Sequence, residues 1–367
     1  MSDTQIIDLD EPEPVTARAP WRPGSLAIVV TPLVVAALVV SLAVPRLADR
    51  LGAQPAPLST PEPTPGGGWL TFPTPNVTTP IVTPLGASRE TGNAEVLETQ
   101  HWTARGPSYP VRGDVAEAVL YGFAYVIGGT GTLEDGRRVY RYDLRTGERE
   151  RVADLPISLD HAMAATLNDR IYVFGGFAFA QASARVFSLG ANDFSWTEHS
   201  LMPQGRAAGG AVALNGRIWL VGGLGGNGSW ITDVWSWDGS GRWSTGLARI
   251  PTPRDHLAVG TYRGSICAAG GTGGDRAFEC YEPVRDEWTR RPDLRSPVIG
   301  GRAAEAAGWF WVIGAFVHVF AVDHWHFGPR PPAMRAGHAL VVVDGTLYLI
   351  ENGLAAYAQV ETLHPEP

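Results

Sequence analysis

Arginine recurs at one position of a repeated pattern, and this recurrence is the strongest indication of binding chemistry in the sequence. A Gly-Gly pair, intact or degenerate, occurs six times, and sixteen residues before its first member four repeats carry an arginine: Arg112, Arg206, Arg254 and Arg335. A guanidinium group stays charged and binds carboxylate or phosphate through two parallel hydrogen bonds. We therefore expect several repeats to present arginines to one anionic ligand.

The position two residues further along adds titratable groups to this set. Asp114, His161 and His256 occupy it in three repeats, with His338 one residue beyond it in the last repeat and Arg302 close by in the fifth. The predicted ligand-binding residues are Arg112, Arg206, Arg254, Arg302, Arg335, His161, His256 and His338. The alternative is that these side chains pack the repeats together by bonding to backbone of their own or the next repeat.

Motifs of catalysis and metal binding supply no further candidates. Cys267 and Cys280 are the only cysteines, so the usual zinc spacings are missing, and the Gly-Gly pairs precede strands instead of the helices that phosphate-binding loops require. His324 and His326 lie on one face of a strand, as a metal pair or as part of an ordinary surface strand. The sequence therefore predicts no cofactor and no metal site.

The repeat also predicts the elements that hold these residues. An apolar segment precedes each Gly-Gly pair, and the first glycines of successive pairs lie 47, 47, 48, 44 and 37 residues apart. Asn215-Gly216 predicts a type I′ hairpin turn before one such segment. With a third strand after the glycines and a fourth that carries Trp, the period predicts six antiparallel four-stranded units, which is the pattern of an all-β propeller.

On these residues the chain resembles the kelch repeat family. The matching features are the double glycine, the pair Tyr142-Asp143 or Trp237-Asp238 after it, and the later tryptophan of three repeats. The resemblance covers residues 94 to 363 and implies a six-bladed kelch-type propeller with four antiparallel strands per blade. Kelch propellers serve as enzymes, adhesins and protein-binding modules, so the resemblance implies a fold more firmly than a function.

The two ends of the predicted propeller supply complementary, incomplete units. Residues 94 to 108, around Trp102, resemble a fourth strand, and the C-terminal unit lacks one. Because an open sheet edge invites aggregation, we expect the N-terminal strand to pair with residues 355 to 362 and close the last blade.

The two cysteines lie in neighbouring strands of the fourth unit. Pairing Gly270 with Ala277 places Cys267 opposite Cys280 on one face of the sheet. They are therefore predicted either to form a disulfide, which an oxidising compartment would preserve, or to remain two buried thiols.

Three segments precede the propeller. Residues 1 to 23 are polar and proline-rich and are predicted to be a short disordered tail. Residues 24 to 44 are uncharged and apolar, and about 21 helical residues span ~31 Å, so we predict a transmembrane helix and not a cleaved signal peptide, whose apolar part is shorter. Residues 45 to 93 form a Pro/Thr-rich linker, which is typical of an extended stalk.

Charge composition bears on partners and on orientation. The formal net charge is −8 at pH 7, which argues against a nucleic-acid-binding surface, and every basic residue is arginine, a bias typical of GC-rich bacterial genomes. Arg18 and Arg22 balance Arg46 and Arg50 across the predicted span, so the positive-inside count leaves the orientation open. A large β domain that follows a single anchor favours an extracytoplasmic propeller.

These observations lead to two functional hypotheses. The first is a membrane-tethered, extracytoplasmic kelch propeller that binds a protein or glycan bearing acidic groups at an arginine-lined mouth. The second is an enzyme acting on an acidic sugar, because the chain resembles the exported, six-bladed sialic acid epimerases. Copper radical oxidases share the fold, but their Cys–Tyr crosslink has no counterpart here, since Cys280 stands beside Tyr281. A deep channel with an acid and base near Arg254 would favour the enzyme, and a shallow mouth would favour binding.

Overall fold

The computed structural model describes residues 102 to 109, 112 to 331, 338 to 350 and 358 to 363, with backbone alone for residues 104 to 109 and 358 to 363. Arg335 and the segments 1 to 23, 24 to 44 and 45 to 93 lie outside the described residues. Among the residues that are described, no helix is long and apolar enough to span a membrane. The described part is almost entirely β structure, with one 3-10 turn at Asp135–Arg137.

Six four-stranded antiparallel sheets make up this region, and five of them are built from consecutive strands. One strand, β1 (Thr103–Tyr109), precedes these five. The first sheet contains β2 (Ala116–Leu120), β3 (Phe123–Ile127), β4 (Val139–Asp143) and β5 (Arg149–Arg151), and the second contains β6 (Met163–Leu167), β7 (Arg170–Phe174), β10 (Val186–Gly190) and β11 (Thr197–Glu198), with the small hairpin β8 (Phe177–Ala178) and β9 (Gln181–Ala182) between β7 and β10. The third contains β12 (Gly210–Leu214), β13 (Arg217–Val221), β14 (Trp235–Trp237) and β15 (Trp243–Ser244), and the fourth contains β16 (Ala258–Tyr262), β17 (Ser265–Ala269), β18 (Phe278–Glu282) and β19 (Glu287–Arg290). The fifth contains β20 (Arg302–Ala306), β21 (Trp309–Ile313), β22 (Val317–Ala321) and β23 (His324–Phe327).

The sixth sheet combines the two ends of the described region. It contains β24 (Ala339–Val343), β25 (Thr346–Ile350) and β26 (Ala358–Leu363), and β1 lies on the outer side of β26 with Thr103 opposite Thr362. Trp102 is buried beside this sheet, and its Nε1–H donates to the carbonyl of Pro329 at 2.8 Å. The predicted pairing of the N-terminal strand with the C-terminal segment is therefore confirmed.

The first strands of the six sheets pack side by side in a closed ring. β2 contacts β6, and the contacts continue through β12, β16, β20 and β24 back to β2. The apolar core is divided accordingly, because each of six clusters of buried side chains draws its members from two neighbouring sheets. The sheets are therefore blades of a propeller, and stability depends on the interfaces between them.

Tight turns join the first and second strands of the blades. Asn215 and Gly216 have φ of 52° and 69°, so both central residues of the predicted hairpin turn have the positive φ that a type I′ turn requires. Tyr121 and Gly122 of the first blade have φ of 50° and 77°, which shows that the geometry repeats where the Asn-Gly sequence does not.

The Gly-Gly pairs are the joints between blades. The N–H groups of Gly176 and Gly223 donate to the carbonyls of Arg206 and Arg254 in the following blades, at 2.9 and 3.0 Å. A Cβ atom on Gly175 would lie 2.0 Å from the Arg206 carbonyl oxygen, so only glycine permits this approach. Each of these interblade contacts is thus formed by the glycine pair of one repeat and the arginine position of the next.

The cysteine register is as predicted. Cys267 on β17 lies opposite Cys280 on β18, Gly270 N–H donates to Ala277 O at 2.8 Å, and a disulfide joins the two cysteines. Both sulfur-bearing side chains belong to the core between the fourth and fifth blades.

Candidate site at the mouth of the central channel

A cavity of about 80 Å³ opens where the first strands of the blades begin, at the centre of the ring. It has room for roughly five to eight water molecules. Its lining contains small residues together with five ionisable side chains, those of Asp114, Glu117, His161, His256 and Arg302. The cavity is the natural place to look for a ligand site.

Hydrogen bonds between backbone groups frame this cavity. The N–H of His161 donates to Asp114 O and that of Ala208 to His161 O, both at 2.9 Å, and His256 N–H and Gly300 N–H donate to Ala208 O and His256 O, both at 2.8 Å. All five residues have φ between 50° and 67°. This left-handed conformation costs a non-glycine residue about 1–2 kcal/mol. The interblade bonds hold it in place and fix where the five side chains start.

His161 lies between two carboxylates on this frame. Its Nδ1 is 2.6 Å from Asp160 Oδ1, and its Nε2 is 3.5 Å from Asp114 Oδ1. The His161 ring also meets the His256 ring edge to face, with centroids 4.9 Å apart. Asp114 and His161 are 47 residues apart in the sequence, and His161 and His256 are 95 residues apart, yet the three are neighbours in the channel.

His256 repeats the arrangement of His161. Its Nδ1 is hydrogen-bonded to Asp255 Oδ1, and Asp255 Oδ2 accepts a hydrogen bond from Trp230 Nε1 at 2.6 Å. Asp255 is only 5% exposed, so this carboxylate serves the histidine and the tryptophan and not the solvent. An Asp-His dipeptide at the same repeat position in two blades is the sequence signal for this arrangement. The predicted ligand-binding set contained the two histidines but not the aspartates that precede them.

Arg302 lines the cavity, as predicted, but it is committed to the protein. Its Nε is 2.6 Å from Glu117 Oε1, and its Nη2 donates to the carbonyl of Val115 at 2.8 Å. Burial raises the pKa of Glu117, and the Arg302 guanidinium opposes that rise. This pair links the fifth blade to the first and leaves the mouth no surplus of positive charge.

The prediction that Arg254 binds a ligand at the mouth is wrong. Arg254 is fully buried, with Nη1 2.5 Å from Glu279 Oε2 and 2.8 Å from Thr252 O, and its Nη2 donates to Ala268 O at 2.9 Å. Burial lowers the pKa of Arg254, and Glu279 opposes this effect. The side chain thus bonds within the fourth blade, while its backbone carbonyl accepts a hydrogen bond from Gly223 of the third.

The prediction for Arg206 is wrong for the same reason. Arg206 is fully buried, its guanidinium carbon lies 3.8 Å from the centre of the Trp235 ring, and its Nη2 donates to Asp233 O at 2.8 Å. Burial lowers the pKa of this guanidinium. Arg206 is thus a packing residue of the third blade.

The other predicted residues either lie away from the cavity lining or are not among the described residues. Arg112 donates through Nη1 to the carbonyls of Asp135 and Arg138, at 2.5 and 3.0 Å, so it too binds its own blade. His338 is 1% exposed. Arg335 lies outside the described residues. Of the eight predicted residues, the structure therefore brings together His161, His256 and Arg302 at the cavity.

Comparison with known families agrees with this architecture. The model of the KLHDC2/KLHL20/DRC7 Kelch-repeats domain matches residues 114 to 321, which is more than half of the chain. The match spans the first four blades and the first three strands of the fifth, and it stops before β23 (His324–Phe327).

Individual relatives are similar in part of their length. Beta-scruin of Limulus polyphemus is 29% identical over 168 residues, 41% of this chain and 18% of its own length. Kelch-like protein terF of Aspergillus terreus is 29% identical over 197 residues, 46% of this chain and 40% of its own length. The chain thus spans less than half the length of these curated relatives.

A solved structure, that of YjhT, shows the same fold. It superposes with a TM-score of 0.63 at 16% sequence identity, covering 70% of this chain and 96% of that chain. At this identity the likeness concerns the fold alone.

Proposed function

Because this chain belongs to the kelch-repeat β-propeller family, whose domains generally mediate protein interactions, we propose that it is a binding module for a partner protein. The observation that carries the proposal is the distribution of exposed apolar side chains. Six of the eleven exposed large apolar side chains among the described residues lie in the loops at one end of the propeller, the end at which the channel cavity opens. We name this end the channel-mouth face.

The loops of the channel-mouth face either join the second and third strands of a blade or lead into its first strand. Exposed apolar side chains occur in these loops in several blades and comprise Leu133, Phe179, Leu201, Trp230, Ile299 and Phe316. Trp230 is 45% exposed while Asp255 holds its indole N–H, so it presents a fixed aromatic surface. Tryptophan with a fixed orientation is the side chain that most often anchors a protein interface.

Charge at this face does not favour an acidic partner. Arg206 and Arg254 are buried, and Arg302 is paired with Glu117. Asp114 and Asp160 have side chains 33% and 36% exposed beside His161. We therefore propose a protein partner that contacts the loops through apolar groups, and not the acidic glycan or peptide of the first hypothesis.

A deep channel with an acid and a base near Arg254 would favour the enzyme hypothesis. The carboxylate that contacts the Arg254 side chain, Glu279, is fully buried with it and is not accessible to a substrate. We therefore do not propose an activity on acidic sugars.

The proposed module is tethered to a membrane by residues 24 to 44 and displayed outside it on the stalk of residues 45 to 93. The uncharged, apolar composition of the first segment and the proline content of the second support this arrangement. The Cys267–Cys280 disulfide supports the extracytoplasmic side, because disulfides persist mainly in oxidising compartments.

Site-specific photo-crosslinking in the cells that make the full chain tests the partner face. A crosslinking amino acid at Trp230 or Phe179 should give adducts that mass spectrometry identifies as one protein. The matched controls are Phe194 and Val284 on the opposite end, which are 85% and 86% exposed and thus more accessible than either test site. Equal labelling from both ends, or none from the channel-mouth face, would overturn the proposed interface.

Alkaline extraction of membranes tests the tether. The full chain should stay in the membrane fraction, and a variant lacking residues 24 to 44 should be released. Release of both proteins would contradict the tether but would not bear on the proposed partner face.

A further inference from the structure

We propose that Asp114, His161 and His256 form a binding site for a late first-row divalent transition metal ion, with Zn²⁺ the expected occupant. One potential ligand atom from each of the three residues lies within 4.8 Å of those of the other two. The inference is independent of the proposed partner face, because it rests on three side chains inside the channel mouth and not on the loops.

The backbone frame prepares this site. The three residues stand at equivalent positions of the first, second and fourth blades, and the interblade hydrogen bonds fix their left-handed backbone. Zinc bonds to nitrogen and oxygen of about 2.0–2.2 Å put tetrahedral ligand atoms about 3.4 Å apart. His161 Nε2 and Asp114 Oδ1 are already 3.5 Å apart. The ligand atom of His256 lies within 4.8 Å of the other two.

The surroundings of both histidines match those of metal ligands. His161 Nδ1 is held by Asp160, and His256 Nδ1 by Asp255, which is itself held by Trp230. A ligating histidine typically donates its second ring N–H to a carboxylate, which selects the tautomer and raises the basicity of the ligating nitrogen. With Nδ1–H donated, each imidazole has Nε2 available for a metal ion.

The ligand types select the class of metal. Two imidazoles and one carboxylate suit zinc and its neighbours in the first transition row, whereas Mg²⁺ and Ca²⁺ prefer sites made of oxygen alone. Three protein ligands leave at least one coordination position of the metal ion open. The cavity of about 80 Å³ beside the three residues has room for water, or a donor atom of a bound molecule, at that position.

Metal titration of the full-length chain, produced without a polyhistidine tag and kept in detergent, tests the site. Competition with a chelating dye should show one equivalent of Zn²⁺ bound, and Co²⁺ should give a visible d–d spectrum that Zn²⁺ abolishes. Mg²⁺ and Ca²⁺ should not compete. His161→Ala and His256→Ala should each weaken Zn²⁺ binding by more than 100-fold, beyond the roughly 10–100-fold that changes to hydrogen-bonding neighbours of a ligand cost.

The propeller supplies its own control for folding. Ala208 holds the equivalent position of the third blade with φ of 53°, so alanine is compatible with this backbone, and thermal unfolding should show that both variants fold. The matched control for histidine removal is His324→Ala with His326→Ala, whose rings lie 4.4 Å apart on β23. Zinc binding should survive that double change.

Three outcomes would overturn the site. They are the absence of stoichiometric Zn²⁺ binding by the folded chain, unchanged affinity in His161→Ala and His256→Ala, and loss of binding in the β23 double variant instead. Asp160→Asn and Asp255→Asn refine the test, since each should weaken binding by about 10–100-fold while leaving the Co²⁺ spectrum tetrahedral.

Discussion

Arg254 and His256 are two residues apart, yet they belong to different regions of the molecule. Arg254 is fully buried against Glu279, while the His256 side chain is 28% exposed at the channel mouth. One blade earlier, Arg206 is likewise buried, and Ala208, whose small side chain is also buried, joins the backbone frame of the cavity. Recurrence of a charged residue in a repeat therefore does not identify a ligand site.

The backbone differs between the two positions. The carbonyl of the arginine position accepts the N–H of a glycine in the preceding blade, and the arginine side chain bonds within its own blade. Two residues later, φ becomes positive, and the chain turns along the channel wall. The predictions for Arg254, Arg206 and the channel histidines test whether the first position contributes more to stability than the second, and His318 provides a buried histidine for comparison.

Loss of Arg254 should have the largest effect on stability. Arg254→Ala leaves the buried Glu279 carboxylate with the half-exposed Arg290, 3.5 Å away, as its remaining cationic partner, and breaking such a buried pair costs up to about 3–5 kcal/mol. Chemical denaturation would measure the loss. The double variant Arg254→Met with Glu279→Leu should recover most of it, since no charge then remains buried. A full-stability Arg254→Ala protein would contradict the structural role.

A buried histidine of the fifth blade, His318, should make stability depend on pH. Burial is the main cause that lowers the pKa of His318 to about 4, and its Nε2 lies 2.9 Å from Ser296 Oγ. The unfolded chain, with an ordinary pKa near 6.5, binds the proton more readily, so stability is complete above about pH 6.5 and falls towards pH 4, by up to about 3 kcal/mol. Denaturation midpoints against pH measure this slope, and His318→Gln should flatten it.

Arg206 should matter less than Arg254 because no carboxylate depends on it. Its Nε and Nη1 atoms have no hydrogen-bond partner among the described residues, and its main contacts are Trp235 and the Asp233 carbonyl. Arg206→Met keeps the packing and removes a poorly solvated charge, so we expect a change within about 1.5 kcal/mol. A loss as large as that of Arg254→Ala would show that the buried charge itself is needed.

The channel histidines should have the smallest effect on stability. They are partly exposed, and alanine occupies the same position in the third blade, so His161→Ala should change the free energy of unfolding by about 0.5 kcal/mol or less. His256→Ala should cost about 1 kcal/mol, because the buried Asp255 carboxylate loses one of its two hydrogen-bond partners. Thermal unfolding without added metal measures this. Destabilisation of several kcal/mol would erase the contrast between the two positions.

The sequence by itself determined the repeat, the antiparallel units, the closure by the N-terminal strand and the register of the two cysteines. The repeat, the antiparallel units and the cysteine register follow from local patterns, because strand alternation, turn residues and hairpin register involve residues close together in the chain. The closure pairs distant residues, Thr103 with Thr362, and was predicted from the incomplete units at the two ends. The Gly-Gly pairs marked the period correctly, although their partner carbonyls lie in the following blade.

Only the tertiary structure decided which charged residues face the channel. Arg206, Arg254 and His256 differ in direction because of interblade hydrogen bonds and of φ values that no local pattern specifies. The meeting of Asp114, His161 and His256 depends on the ring, which brings the starts of three separate blades together. Sequence alignment of the repeats places these residues at one register, but closure of the ring is what makes that register a single site.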